Sequence, residues 1–125
     1  MGSRAKSVLL IDDNAYVRRA LRNMFEAAGF ECTEFETGAA AIEKADQLKP
    51  DLIVLDFSMP VMNGLEAAPL LREKLPQTPI IMLTMFASRA LEDIVLAAGV
   101  TILISKDRSH DLVSRASSLL NPPSN

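Results

Sequence analysis

At 125 residues, 49% hydrophobic and with a formal net charge of −3, the chain is long and apolar enough for one domain with a filled core, which excludes a disordered segment. The charge balance gives no electrostatic reason for nucleic-acid binding by this chain. No apolar run nears the roughly 20 residues of a membrane span or reads as a secretory leader. One cysteine, Cys32, excludes an internal disulfide and suits a reducing cytosol, a cytoplasmic setting.

Met1-Gly2-Ser3 reads as a cloning remnant, and residues 1–5 are set apart from the fold. Beyond them, five short apolar runs alternate with helical patterns. Residues 8–11 (VLLI) form the first strand and end at Asp12-Asp13-Asn14. Val17, Leu21, Met24, Phe25 and Ala28 then fall on one helical stripe, with Asn14 as N-cap and Gly29 just past the end. Residues 31–35 are rich in β-formers yet partly polar, which suits an edge strand. Thr37 caps an Ala-rich helix over about 39–48, and Pro50 ends it.

The unbroken run at 52–55 (LIVL) implies a strand buried on both faces, as in a parallel sheet. Asn63-Gly64 opens a helix to about Lys74. Pro69 inside it predicts a lost hydrogen bond and a kink, unless the helix starts late. Pro79 precedes a fourth strand at 80–83. Ser88 caps a helix that turns Leu91, Ile94, Val95 and Ala98 inward and stops at Gly99. The fifth strand is 101–104, and Ser109 caps a last helix with Leu112, Val113, Ala116, Leu119 and Leu120 inward. Residues 121–125 (NPPSN) read as a linker or frayed end. Five strands alternating with five helices predict an α/β fold, a doubly wound parallel sheet, with the working site outside the carboxyl ends of the strands.

Those ends carry chemistry. Strand one runs into Asp12 and Asp13, strand three into Asp56, strand four into Thr84, and strand five into Ser105-Lys106. Three neighbouring carboxylates repel and raise one another's pKa unless a cation joins them. Carboxylates with a carbonyl and waters are the ligand set of Mg²⁺, which keeps positions open for phosphate oxygens. Lys106 and Thr84 add the positive charge and the donor that stabilise a phosphoryl group, and a carboxylate can accept one covalently. Taken singly, the residues have plainer readings. Asp12 and Asp13 suit a helix N-terminus, Thr84 a strand end and Lys106 a solvated surface. Arg18, Arg19 and Arg22 read as a solvated helix face, and His110 as a surface residue. Met59, Met62, Met82 and Met85 read as core filler or a soft interaction surface. The convergence of the strand-end set is what favours a site.

The segments VLLIDDN, DLIVLDFSMPVMNG, PIIMLT, AAGV and ISK together resemble the receiver domain of two-component response regulators, over residues 6–120. The resemblance implies a flavodoxin-like (βα)5 fold with strand order 2-1-3-4-5. It implies that Asp56 is the phosphoacceptor, and that Asp12, Asp13, Asp56 and the Ser58 backbone carbonyl hold Mg²⁺. It makes Thr84 the switch hydroxyl and Lys106 the lysine that pairs with the phosphoryl group. It also implies phosphotransfer from a histidine kinase or phosphotransfer protein, read out on the face of the helix near 88–98, strand five and the last helix. Asp107 after Lys106 is similar to receivers that precede a LuxR-type helix-turn-helix. No such segment follows here, which leaves a single-domain regulator or an excised piece, with a homodimer and a missing DNA-binding output domain both open.

Three positions depart from the family pattern. Leu103 stands where an aromatic usually swings inward, Met85 follows Thr84 where a small residue is usual, and Ser58 sits where phosphate lifetime is tuned. Altered dephosphorylation kinetics are expected. Leu103 keeps open a receiver-like binding module that works without phosphorylation. A haloacid-dehalogenase-like phosphatase also uses a strand-end Asp, Mg²⁺, Thr/Ser and Lys. That family wants a second Asp where this chain has Ser58, and 125 residues leave no room for a cap domain. The favoured reading is a signalling domain that catalyses only its own phosphotransfer and dephosphorylation.

Overall fold

The computed structural model describes residues 5–121. The expected cloning remnant and the tail after Asn121 lie outside the described residues. Five strands, β1 (Ser7–Ile11), β2 (Glu31–Phe35), β3 (Leu52–Asp56), β4 (Ile80–Thr84) and β5 (Ile102–Ser105), make one parallel sheet in the order β2-β1-β3-β4-β5. Helices α1 (Ala15–Ala27), α2 (Gly38–Leu48), α3 (Gly64–Lys74), α4 (Arg89–Ala97) and α5 (Leu112–Leu120) connect and follow the strands. The flavodoxin-like doubly wound fold is the one the sequence predicts.

The strand period of two divides the apolar residues between two cores. Leu9, Ile11, Ile53, Leu55, Ile80 and Met82 face α2, α3 and α4 through Ala41, Ala45, Ala67, Leu71 and Val95. Val8, Leu10, Leu52, Val54, Ile81, Leu83 and Ile104 face α1 and α5 through Leu21, Phe25, Leu112 and Ala116. Every residue of β3 and β4 is buried, as the unbroken apolar runs require, whereas β2 at the sheet edge has only exposed and half-buried residues. The Phe25 and Phe30 rings meet edge to face at 5.0 Å and pack the start of β2 against α1.

Capping follows the sequence in four helices. Asn14, Thr37, Asn63 and Ser88 each accept backbone N–H bonds at their N-termini, and Asn63 forms a reciprocal capping box with Glu66. Gly29 and Gly99 take the positive φ that ends α1 and α4. Four expectations are corrected. Ala28 is the exposed C-cap of α1, outside its buried stripe. Ile94 of α4 is 52% exposed, because on this nine-residue helix Val95 alone is fully buried and Leu91 and Ala98 are half-buried. Ser109 caps nothing: residues Lys106–Asp111 form a 3-10 segment, and α5 starts after Asp111 with no side-chain cap. The α3 helix starts at Gly64 and still runs past Pro69 in one stretch. Pro69 is on the exposed side, where water can satisfy the carbonyl that loses its donor.

Candidate functional site

Among the described residues three polar ones are buried, Asp12, Asp56 and Thr84, at 1%, 3% and 5% exposure. All three stand at the carboxyl edge of the sheet. Asp56 closes β3, Thr84 closes β4, and Asp12 follows β1, which lies beside β3 in register. A position buried on both faces is where a charge is hardest to keep, so the burial of two carboxylates marks a site.

Carboxylate oxygens of Asp12, Asp13 and Asp56 lie within 4.8 Å of one another. Asp12 Oδ2 and Asp56 Oδ1 are buried and accept no hydrogen bond from any described residue. Their positive neighbour is Lys106, whose Nζ is 2.9 Å from Asp56 Oδ1 and 3.9 Å from Asp12 Oδ2. At 2.9 Å Lys106 makes a close ion pair with Asp56, whereas its 3.9 Å approach leaves Asp12 Oδ2 at the edge of its reach. Burial pushes the Asp56 carboxyl above its usual range, and Lys106 and the Ser58 N–H pull it only partly back. Burial likewise raises Asp12; the Asn14 N–H opposes the rise, and the Asp56 charge adds to it. One ammonium does not satisfy three carboxylates. Hard oxygen donors with buried, unsatisfied lone pairs are what a small divalent cation requires, so the residues fit Mg²⁺.

The loop after β3 is shaped for close approach. Gly64 N–H donates to Phe57 O at 2.8 Å, and a Cβ on Gly64 would lie 2.4 Å from the Asp56 carbonyl oxygen. Pro60 O accepts from Met62 N–H at 2.8 Å across Val61, a β-branched residue held at φ 69°. Such a backbone stores roughly 1–3 kcal/mol, and strain of this kind gathers at working loops. Beside the carboxylates, a cleft of about 320 Å³ is lined by Asp56, Phe57, Ser58, Thr84, Met85, Phe86, Leu91 and Lys106. Thr84 Oγ1 accepts from Phe86 N–H at 3.3 Å, and the Met85 and Phe86 side chains are exposed.

Asp12, Asp13, Asp56 and Lys106 meet in one ionic group, and Ser58, Thr84 and Met85 line the cleft over Asp56. Leu103 is apart. It lines a second cleft with Ala87, Ile104, Ser105, Arg108, Asp111 and Arg115 and packs on the α2–α4 side of the core. Asp107 accepts a hydrogen bond from the Ser105 hydroxyl at the start of the 3-10 segment. The methionines divide: Met59 and Met82 are buried, Met62 half-buried and Met85 exposed.

Two contributors were not legible in the sequence. Gly64 reads there as a helix opener, yet it also clears the Asp56 carbonyl; the NG pair was the available signal. Arg18 reads as a solvated arginine. Instead its Nη1 donates to the Asp12 carbonyl at 2.6 Å, and Arg18 and Arg22 together clasp Glu34 of β2. Of the three only Arg19 is exposed, as expected of a solvated face. His110 is exposed as expected.

A protein-glutamate methylesterase/protein-glutamine glutaminase from Archaeoglobus fulgidus is 47% identical over 78 residues, 62% of this chain. Those residues are 22% of that enzyme, so the chain spans about a fifth of its length. The polar-differentiation response regulator DivK of Brucella ovis is 34% identical over 103 residues, 81% of this chain and 84% of DivK. The response regulator domain of Thermotoga maritima CheB superimposes with a TM-score of 0.85 at 29% identity, covering 97% of this chain and 100% of that one. The family model for the response regulator receiver domain matches residues 8–117, from β1 into α5 and across the whole acidic edge. The chain therefore belongs to the response regulator receiver domain family, the signal-receiving module of two-component systems.

Proposed function

We propose that the chain is a phospho-accepting switch in which Asp56 is the phosphoacceptor, working in the cytoplasm with a histidine kinase or phosphotransfer protein as donor. A carboxylate oxygen of Asp56 attacks phosphorus as the bond to the donor nitrogen breaks, leaving an acyl phosphate on the chain and the donor imidazole free. Asp12, Asp13, Asp56 and the Ser58 backbone carbonyl would hold Mg²⁺, which supplies charge neutralisation to the phosphoryl oxygens when bound. Lys106 pairs with the charge that develops on those oxygens, and the Thr84 hydroxyl turns from the Phe86 N–H toward the phosphoryl group.

One observation carries this reading: a buried Asp56 inside a group of three carboxylates that one lysine leaves unbalanced. Residues 6–120 form the proposed unit, with output on the face of α4, β5 and α5. Asp107 after Lys106 supports kinship with the receivers that precede LuxR-type domains, and DNA binding or dimerisation would belong to that output. We read the chain as catalysing only its own phosphotransfer and dephosphorylation. Ser58 stands where a dehalogenase-like phosphatase needs its acid, which supports that choice.

Intact mass after incubation with acetyl phosphate tests the proposal. One phosphoryl addition is expected with Mg²⁺, and none with a chelator or in Asp56→Asn. No addition to the wild type would favour a phosphorylation-independent binding module, and turnover of many phosphoesters would favour a phosphatase.

A further inference from the structure

Asp12 is held at three of its four polar atoms. Its N–H donates to Phe35 O at 3.1 Å, its Oδ1 accepts from the Asn14 N–H at 2.9 Å, and its carbonyl accepts from Arg18 Nη1 at 2.6 Å. The fourth atom, Oδ2, is buried without a hydrogen bond, on the side of Asp12 that Lys106 approaches at 3.9 Å. Arg18 is itself seated: its Nε donates to Glu34 Oε1 at 2.9 Å, and Glu34 precedes the Phe35 that holds the Asp12 N–H. The Arg18 side chain is only 15% exposed, unlike a solvated arginine on a helix face. Arg22 grips the other Glu34 oxygen at 2.8 Å and pairs with Glu26, but it donates no hydrogen bond to Asp12.

We propose that Arg18, seated on Glu34, is a positioning residue for the divalent-cation site. Its rigid fork spans a β2 carboxylate and the Asp12 carbonyl, so α1 and the edge strand together fix the Asp12 main chain and leave Oδ2 as its single ligand atom. A ligand held in this way loses little freedom on binding, and partners behind a ligand commonly change metal affinity about 10- to 100-fold. Arg18 acts on the main chain behind the ligand, so an effect near the lower end, about tenfold, is expected.

The inference rests on the cation reading above, and the test separates the two. Mg²⁺ is titrated into the full chain and its three variants while amide signals are followed by NMR. Arg18→Ala is expected to bind Mg²⁺ about tenfold more weakly, and Arg22→Ala, which disturbs Glu34 without touching Asp12, within twofold of wild type. Arg18→Lys keeps the charge but not the fork, and is expected to recover only part of the affinity. Before any metal is added, Arg18→Ala should shift the Asp13 amide, whose nitrogen is bonded to the released carbonyl, and Arg22→Ala should not. Wild-type affinity in Arg18→Ala, or equal losses in Arg18→Ala and Arg22→Ala, would overturn the positioning role and leave the cation site standing. Should Arg18→Ala fail to fold, full wild-type affinity in Arg18→Lys would overturn it. A wild-type chain that binds no Mg²⁺ would remove both readings.

Discussion

A hydrogen atom is all that fits on the face of Gly64 turned toward β3. A methyl group there would meet the Asp56 carbonyl oxygen at 2.4 Å and Phe57 Cα at 2.9 Å, and both are backbone atoms that cannot rotate away. Close approach is the reason for the glycine, since its φ is not among the positive ones. Gly64→Ala is therefore expected to cost about 1–3 kcal/mol through overpacking and to slow phosphoryl labelling, because the strain falls on the residue that would accept the group. Denaturant melts and an intact-mass time course check both effects, and a wild-type melt with wild-type labelling would refute the close-packing role. The acidic set and Lys106 were visible in the sequence because each follows an apolar run that fixes its place. Arg18 was not, because an arginine on an amphipathic helix has the same pattern whether it faces water or clasps Glu34. The tie is tertiary, between α1 and β2, and no local spacing encodes it.

Elements whose identity rests on burial over both faces came through clearly. The runs in β3 and β4 can only be central strands, and Asn14, Thr37, Asn63 and Ser88 mark helix starts by a local hydrogen bond. The last connection was obscured because the same stretch of serine and polar residues suits a cap and a 3-10 turn equally, so Ser109 read as a start that Asp111 provides. Ile94 read as inward because a wide apolar stripe was assumed where a short helix touches the core mainly through Val95. In α3 the penalty for Pro69 is real but survivable. The helix is anchored by the Asn63–Glu66 capping box at one end and by Arg72 at the other, which donates to Leu75 O, Thr78 O and Gly99 O. Pro69→Ala restores a backbone donor on the exposed side and is expected to raise stability by about 1–3 kcal/mol, less whatever entropy proline removes from the unfolded chain. Denaturant melts read the change, and a destabilised Pro69→Ala would mean that α3 depends on its proline.

The two cores and the acidic edge set opposite demands on the molecule. The sheet buries Leu, Ile and Val on both faces and carries β1 and β3 straight into carboxylates that are then buried too. Folding raises the pKa of Asp12 and Asp56, so each group's contribution is most favourable below its unfolded value near 3.8 and is lost as pH rises through the raised folded value. At neutral pH and without metal the site therefore costs stability. Glu34 acts in the opposite sense: Arg22, and then Arg18, hold its carboxyl below the usual range, so its contribution is kept at neutral pH and lost only on acidification below about 4.5. From this balance, metal-free Asp56→Asn is expected to melt above the wild type at pH 7, and the gap to narrow as pH falls through the raised folded pKa of Asp56. Mg²⁺ should reverse the order, because a ligand in a hundredfold excess over its Kd adds about 2.7 kcal/mol to a chain that binds it only when folded. Thermal melts of both proteins across a pH series downward from 7, with and without Mg²⁺, read the order, its narrowing and its reversal. A metal-free wild type more stable than Asp56→Asn at pH 7 would show that Lys106 already balances the carboxylates and that the edge holds no unmet demand for a cation.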